Sequence, residues 1–258
     1  MTSKIETFAR LHIPGNPLVL FNIWDAGSAK AVAEAGALAI ATGSYGVAEA
    51  QGFKDGEAFT LDLALTNLER IIGVTDLPVT LDMESGYGAT AEEVGRSVAT
   101  ARAAGAVGIN LEDRMPGIAE LTPVAEQARR IAAAAASGIF VNARCDVFRG
   151  KAAESHGPEL VEQVLERAHA YADAGANGLF VPFTTNRACI AAICERSPLP
   201  VNIIWTPSSA GGFSSRDELA ELGVARISHG HRPWAAAMDW LSAQAKQVLS
   251  GNAPPYDG

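Results

Sequence analysis

What most limits the fold of this chain is an alternation met eight times along it: a short apolar run, then a stretch with helical spacing. The runs are Pro17–Asp25, Leu38–Thr42, Leu77–Glu84, Ala106–Glu112, Ile139–Asp146, Asn177–Phe183, Leu199–Thr206 and Ala225–His229. Runs this short and apolar suit strands covered on both faces. Segments such as "TAEEVGRSVATARAAG" and "GPELVEQVLERAHAYADAG" suit the amphipathic helices that cross between parallel strands. A weak repeat has the same rhythm: "EAGALAI", "AAGAVGI", "DAGANGL" and "ELGVARI" put Gly36, Gly105, Gly175 and Gly223 just ahead of runs two, four, six and eight. Glycine there suits a left-handed residue that ends a helix and returns the chain to the sheet. Eight units in 258 residues come to roughly 32 each, a barrel-like figure.

No linker or break in composition divides the chain. It reads as α/β, a single (β/α)8 TIM-type barrel over residues 1–258, ahead of an open doubly wound sheet. No G-x-G-x-x-G follows the first run, so a dinucleotide fold has little support. Net charge is -9 with the arginines scattered among acids, which argues against a nucleic-acid partner. The apolar runs are far shorter than a membrane span, and the start has no apolar leader core. Cys145, Cys189 and Cys194 match no zinc spacing, as expected of reduced thiols in a cytoplasmic protein.

In "LPVTLDMESGYG" the third run ends in acids. Strand alternation puts Thr80, Asp82 and Glu84 on one face and Val79, Leu81 and Met83 on the other. Packing the apolar set under the helices turns the polar set into the barrel, at the C-terminal mouth where barrel active sites are built. The same reasoning brings Asn110 and Glu112 inward from "AVGINLEDR", and Asn142, Arg144 and Asp146 from "IFVNARCDVF". Close buried carboxylates repel each other, and a bound cation removes the conflict. Hard oxygen ligands favour magnesium, or manganese. Asp82, Glu84 and Glu112 are therefore the expected metal ligands. Arg144 offers a fixed positive fork suited to a substrate carboxylate.

In order and spacing, "LPVTLDMESGYG", "GINLEDR" and "VNARCDVF" resemble the isocitrate lyase/phosphoenolpyruvate mutase superfamily, as do "WDAGSAKAVAEAGALAIATGS" and "GLFVP". The likeness runs from about Val19 to Trp240. It implies a barrel whose C-terminal helix packs on a partner subunit in a homodimer or homotetramer. It also implies a magnesium site for an α-keto acid or its enolate. Asp82 would be the direct ligand, with Glu84 and Glu112 acting mostly through waters and Asp55 nearby. Arg144 would clamp the substrate carboxylate, supported by backbone groups at Thr42 and Gly43. Ser44, Tyr45 and Tyr87 are further candidates by position, with a role in the wall weighed first for the tyrosines, and Asn202, inward on run seven, is a candidate to line the pocket, with a satisfied core amide as the alternative. His229 and His231 are candidate mouth residues, with a structural role weighed first.

The chain departs from the family after Glu112. Lyases for isocitrate or methylisocitrate carry K-[KR]-C-G-H there, with the cysteine as acid. The mutase and phosphonopyruvate hydrolase branch carries E-D-K and a later Asn-Ser. This chain has Asp113 to Thr122 with no Cys, Lys or His. The expected activity is metal-dependent C–C cleavage of a small α-keto or α-hydroxy dicarboxylic acid through an enolate, by a lyase of the oxaloacetate decarboxylase or methylisocitrate lyase kind. Two alternatives stay open: a carbon–phosphorus bond enzyme, and an α-keto-acid-binding protein without turnover.

Overall fold

The computed structural model describes residues 3–254. The elements run α1 (Lys4–Arg10), β1 (Leu18–Leu20), α2 (Ala26–Glu34), β2 (Ile40–Ala41), α3 (Ser44–Ala50), α4 (Leu61–Ile72), β3 (Val79–Asp82), α5 (Ala91–Ala103), β4 (Gly108–Glu112) and α6 (Val124–Ala135). They continue with β5 (Phe140–Arg144), α7 (Pro158–Asp173), β6 (Gly178–Val181), α8 (Arg187–Arg196), β7 (Val201–Ile204), α9 (Arg216–Glu221), β8 (Arg226–Ser228) and α10 (Arg232–Leu249). All eight strands are parallel, in the order β1-β8-β7-β6-β5-β4-β3-β2. Beyond β1 the chain closes the ring through a parallel bridge of Ile23 to Thr42, where Ile23 N–H donates to the Ala41 carbonyl at 2.9 Å. This is the expected barrel.

The four repeated glycines hold φ of 93, 105, 94 and 87°. At Gly105 a side chain would pay a left-handed penalty and would also meet Ile72 at 2.9 Å. Register confirms the two faces. Val79, Leu81, Met83, Ile109, Leu111 and Val141 face outward, buried with Val94, Val98 and Ile131 of α5 and α6. Each such aliphatic side chain contributes about 1.5–3 kcal/mol. Inward residues meet inward residues: Asp82 is opposite Asn110, Asn110 opposite Asn142, and Glu112 opposite Arg144.

Two features of the interior were not anticipated. Helix α1 plugs the N-terminal end, where Phe8 packs edge-on to Phe140 at 5.1 Å and His12 stacks on the same ring at 4.4 Å. Inside the barrel, Arg226 is fully buried and donates Nη2 to Asn110 Oδ1 at 3.2 Å. Burial pulls its pKa down to about 9, against the opposing charge of Asp82.

The strands stop earlier than the apolar runs. β3 ends at Asp82, and Glu84 stands at φ 49°, so the inward alternation inferred for Glu84 does not apply. The chain turns instead, with Gly86 N–H on the Met83 carbonyl at 2.7 Å. Asp25, the last residue of the first run, is the N-cap of α2, accepting from Ser28 N–H at 2.7 Å. Among the described residues no helix is long and apolar enough to cross a membrane. Helix α10 buries only Pro233 and exposes Trp240, Leu241, Val248 and Leu249.

Candidate active site

The C-terminal ends of the strands open into a cavity of about 570 Å3. Asp55, Asp82, Glu84, Glu112 and Arg144 all line it. Each is placed by a different local device.

Asp82 ends β3. Its N–H donates to Thr42 Oγ at 2.9 Å, and its Oδ2 accepts from Ser44 N–H at 3.1 Å. Glu84 reaches the cavity because its left-handed backbone redirects the side chain, which accepts from Glu57 N–H at 2.8 Å. Glu57, itself at φ 62°, latches the loop carrying Asp55 onto the turn after β3. Its Oε1 accepts from Ser85 N–H at 3.1 Å, Tyr87 N–H at 3.0 Å and Ser85 Oγ. Arg130 clamps that turn from below, donating to the carbonyls of Ser85 at 2.7 Å and Gly88 at 2.9 Å.

Across the cavity, Arg144 Nη1 pairs with Glu112 Oε2 at 2.7 Å, while its Nε and Nη2 donate to Asp146 at 2.7 and 2.9 Å. Asp146 lies beyond β5 and is almost fully buried. Its N–H donates to Asp113 Oδ1 at 2.9 Å. Asp113 is fully buried, held by Arg167 and Tyr171 at 3.1 and 2.9 Å.

The electrostatics follow from crowding acids in a partly dry cleft. Burial, reinforced by Asp82 and Asp55, pushes Glu84 up to about 8. Burial, offset only in part by Arg144, pushes Glu112 up to about 7. Asp55 is raised by burial and by Asp82. For Arg144, burial works against the charge, but Glu112, Asp146 and Asp82 outweigh it and hold the guanidinium above its usual range. The donors are hard carboxylate oxygens with an unrelieved repulsion among them, which fits a divalent cation. Among the described residues, no three acidic, His or Cys side chains stand close enough to enclose an ion by themselves. Glu112 is drawn to Arg144 and Glu84 to the Glu57 amide. Asp82 could hold such an ion, its Oδ2 taking one N–H donor from Ser44.

The remaining sequence candidates divide into two groups. Gly43, Ser44 and Tyr45 line the cavity, and Tyr45 packs edge-on to His231 and Trp234. His231 lines it as well. Thr42 lies behind the wall, its hydroxyl and carbonyl taken by Asp82 N–H and Asn22 Nδ2. Asn202 sits below the cavity, paired with Ser228 Oγ at 3.1 Å. His229 is held by Asn22, whose Oδ1 accepts from the His229 and Gly230 N–H groups at 2.8 Å each. Asn22, Glu57 and Arg130 were missed, because each acts through a partner remote in sequence; Arg149 was missed because it lies in the loop past β5, where strand alternation no longer applies. The one local signal near Glu57 is the Asp55-Gly56 pair in "KDGEA", which marks a turn. The loop after β4 folds back through an Arg114–Leu121 bridge and puts Met115, Pro116 and Ile118 on the cavity wall.

The phosphoenolpyruvate phosphomutase family model matches residues 8–249. A 2-methylisocitrate lyase of Salmonella typhimurium is 31% identical over 83% of this chain and 78% of its own length. An oxaloacetate decarboxylase of Rhodopseudomonas palustris is 32% identical over 79% of this chain and 70% of its own. A crystal structure from Burkholderia cenocepacia J2315, described as a candidate phosphonomutase, superposes with a TM-score of 0.91 at 50% identity, covering 95% of this chain and 98% of that one.

Proposed function

The chain belongs to the phosphoenolpyruvate phosphomutase family, and on that premise we propose that it is a magnesium-dependent lyase that cleaves a C–C bond of a small α-keto dicarboxylic acid, decarboxylation of an oxaloacetate-like substrate foremost. The observation that carries this reading is the meeting of Asp55, Asp82, Glu84 and Glu112 with Arg144 in one cavity.

Asp82 would hold the ion directly, with Glu84 and Glu112 acting through its waters; manganese would suit the same oxygens. The bound ion supplies Lewis-acid polarisation of the substrate carbonyl. Before anything binds, Ser44 N–H holds the Asp82 carboxylate and Thr42 Oγ accepts from the Asp82 backbone N–H. Arg144 takes the carboxylate beside the carbonyl, and its bonds to Asp146 keep the fork from turning, so orientation costs little on binding. Met115, Pro116 and Ile118 give the cavity an apolar wall on the side of the loop after β4. That loop supplies no thiol, lysine or imidazole. Loss of CO2 leaves an enolate without needing an acid at the bond that breaks, which is why decarboxylation ranks above cleavage of a larger hydroxy acid.

A C–P bond reaction is the second reading, favoured by the similarity to the candidate phosphonomutase. We also propose that the exposed apolar side of α10 packs on a second copy in a homodimer or homotetramer.

The test is pyruvate formation from oxaloacetate with and without magnesium, against protein-free controls because the metal alone promotes decarboxylation. Magnesium-dependent turnover lost in Asp82→Ala supports the lyase. Release of phosphate or isomerisation with phosphonopyruvate, and none with oxaloacetate, replaces it with the second reading. Tight oxalate binding without turnover of either substrate makes the chain a binder.

A further inference from the structure

Arg149 also lines the cavity, five residues past the end of β5, and has no part in the mechanism above. We propose that Arg149 is a second anion-binding residue of the site, taking the far carboxylate of a dicarboxylic substrate while Arg144 holds the near one; the assignment rests on the lyase reading above.

Asp146 organises the two cations. Its side chain is 0% exposed, and its Oδ1 accepts from Arg144 Nε while its Oδ2 accepts from Arg149 Nη1 at 3.1 Å. Arg114 Nε stands 3.9 Å from the same Oδ2, but Arg114 donates Nη1 to the Ala119 carbonyl within its own loop. One buried negative charge therefore anchors the guanidiniums on this side of the cavity.

Phe183 is the second device. It stands at φ 66°, and its ring centroid lies 5.5 Å from the guanidinium carbons of both Arg144 and Arg149. Aromatic faces attract guanidinium groups and limit their rotamers. Strained non-glycine residues of this kind concentrate at ligand clamps.

Depth separates the two roles. The Arg144 side chain is 16% exposed and spends three of its N–H donors on Glu112 and Asp146. The Arg149 side chain is 44% exposed and spends one on Asp146. Arg144 thus lies inside, beside the acids, and Arg149 lies toward the mouth with donors to spare. A four-carbon diacid held at its inner end by Arg144 would present its outer carboxylate to Arg149.

Two probes separate this proposal from the reading beneath it. Oxalate offers the chelating end alone, and 3,3-difluorooxaloacetate adds the second carboxylate. Calorimetric titration of the magnesium-loaded protein is expected to show oxalate affinity within about threefold of wild type in Arg149→Gln. Difluorooxaloacetate is expected to weaken about 10- to 100-fold, the weight of a hydrogen bond to a charged group. Arg149→Lys should recover part of that loss. Equal weakening of both probes, or of neither, overturns the distal site and leaves the lyase reading standing. Failure of wild type to bind either probe with magnesium overturns both. Melting curves of the two variants confirm that folded protein was titrated.

Discussion

Removing the Glu57 carboxylate tests how the acid side of the cavity is held. Three donors converge on its Oε1: the N–H groups of Ser85 and Tyr87 at 3.1 and 3.0 Å and the Ser85 hydroxyl. The Glu57 N–H in turn fixes Glu84. A hydrogen bond to a charged group contributes about 1.5–3 kcal/mol net. The side chain is half-buried and the three bonds act together, so the latch is worth less than their sum, about 2–4 kcal/mol. At about 2–4 °C per kcal/mol for a chain of this size, Glu57→Ala should lower Tm by about 5–15 °C. Glu57→Gln keeps an acceptor and should lose about half of that. Hydrogen exchange reads the latch itself: the Ser85 and Tyr87 amides should lose protection in Glu57→Ala while amides of β5 keep theirs. Unchanged protection at Ser85 and Tyr87, with Tm within about 1 °C of wild type, would refute the latch.

Arg144→Gln should raise KM about 10- to 100-fold and lower kcat as well, because the substrate carboxylate loses both charge and orientation; steady-state kinetics with oxaloacetate checks this. His12 contributes to acid stability: burial, aided by Arg226, pushes it down to about 3, against its hydrogen bonds to the backbone of Phe8 and Ala9. Below about pH 6.5 the unfolded chain binds a proton that the folded chain refuses. The His12 contribution is therefore complete above that pH and is lost toward pH 3, at about 1.4 kcal/mol per pH unit. Urea titrations at pH 7 and 5 should show about 2 kcal/mol less acid loss in His12→Phe than in wild type. By light scattering the wild type should have the mass of two or four chains, and charging the exposed side of α10 with Trp240→Glu and Leu241→Glu should reduce it to that of one; a wild-type mass of one chain, or an unchanged mass in the variant, would refute the α10 contact.

The barrel was legible because its signals are local. Apolar runs, amphipathic crossovers and four left-handed glycines each speak for a few residues, and all agree. The cavity was legible as far as strands stay extended: alternation set Asp82 and Glu112 on one rim with Arg144, where the structure has them. It failed one step past the sheet. Glu84 arrives through φ 49°, not through a strand. Asn202 is inward as expected and pairs with Ser228, the satisfied core amide that stood as the alternative to a pocket residue. The contacts between Asp146, Arg149 and Phe183 join the end of β5 to the end of β6, and no periodicity along one chain shows which side chains two neighbouring loops bring together.

The central claim is that these acids gather one divalent ion for a keto acid held by Arg144. A crystal structure with manganese and oxalate tests it most directly, since the anomalous signal locates the ion without assumption. The account predicts a manganese peak within about 2.3 Å of an Asp82 oxygen, at the distance of a direct carboxylate ligand, with oxalate between the ion and Arg144. A peak elsewhere, or oxalate bound away from Arg144, would contradict it.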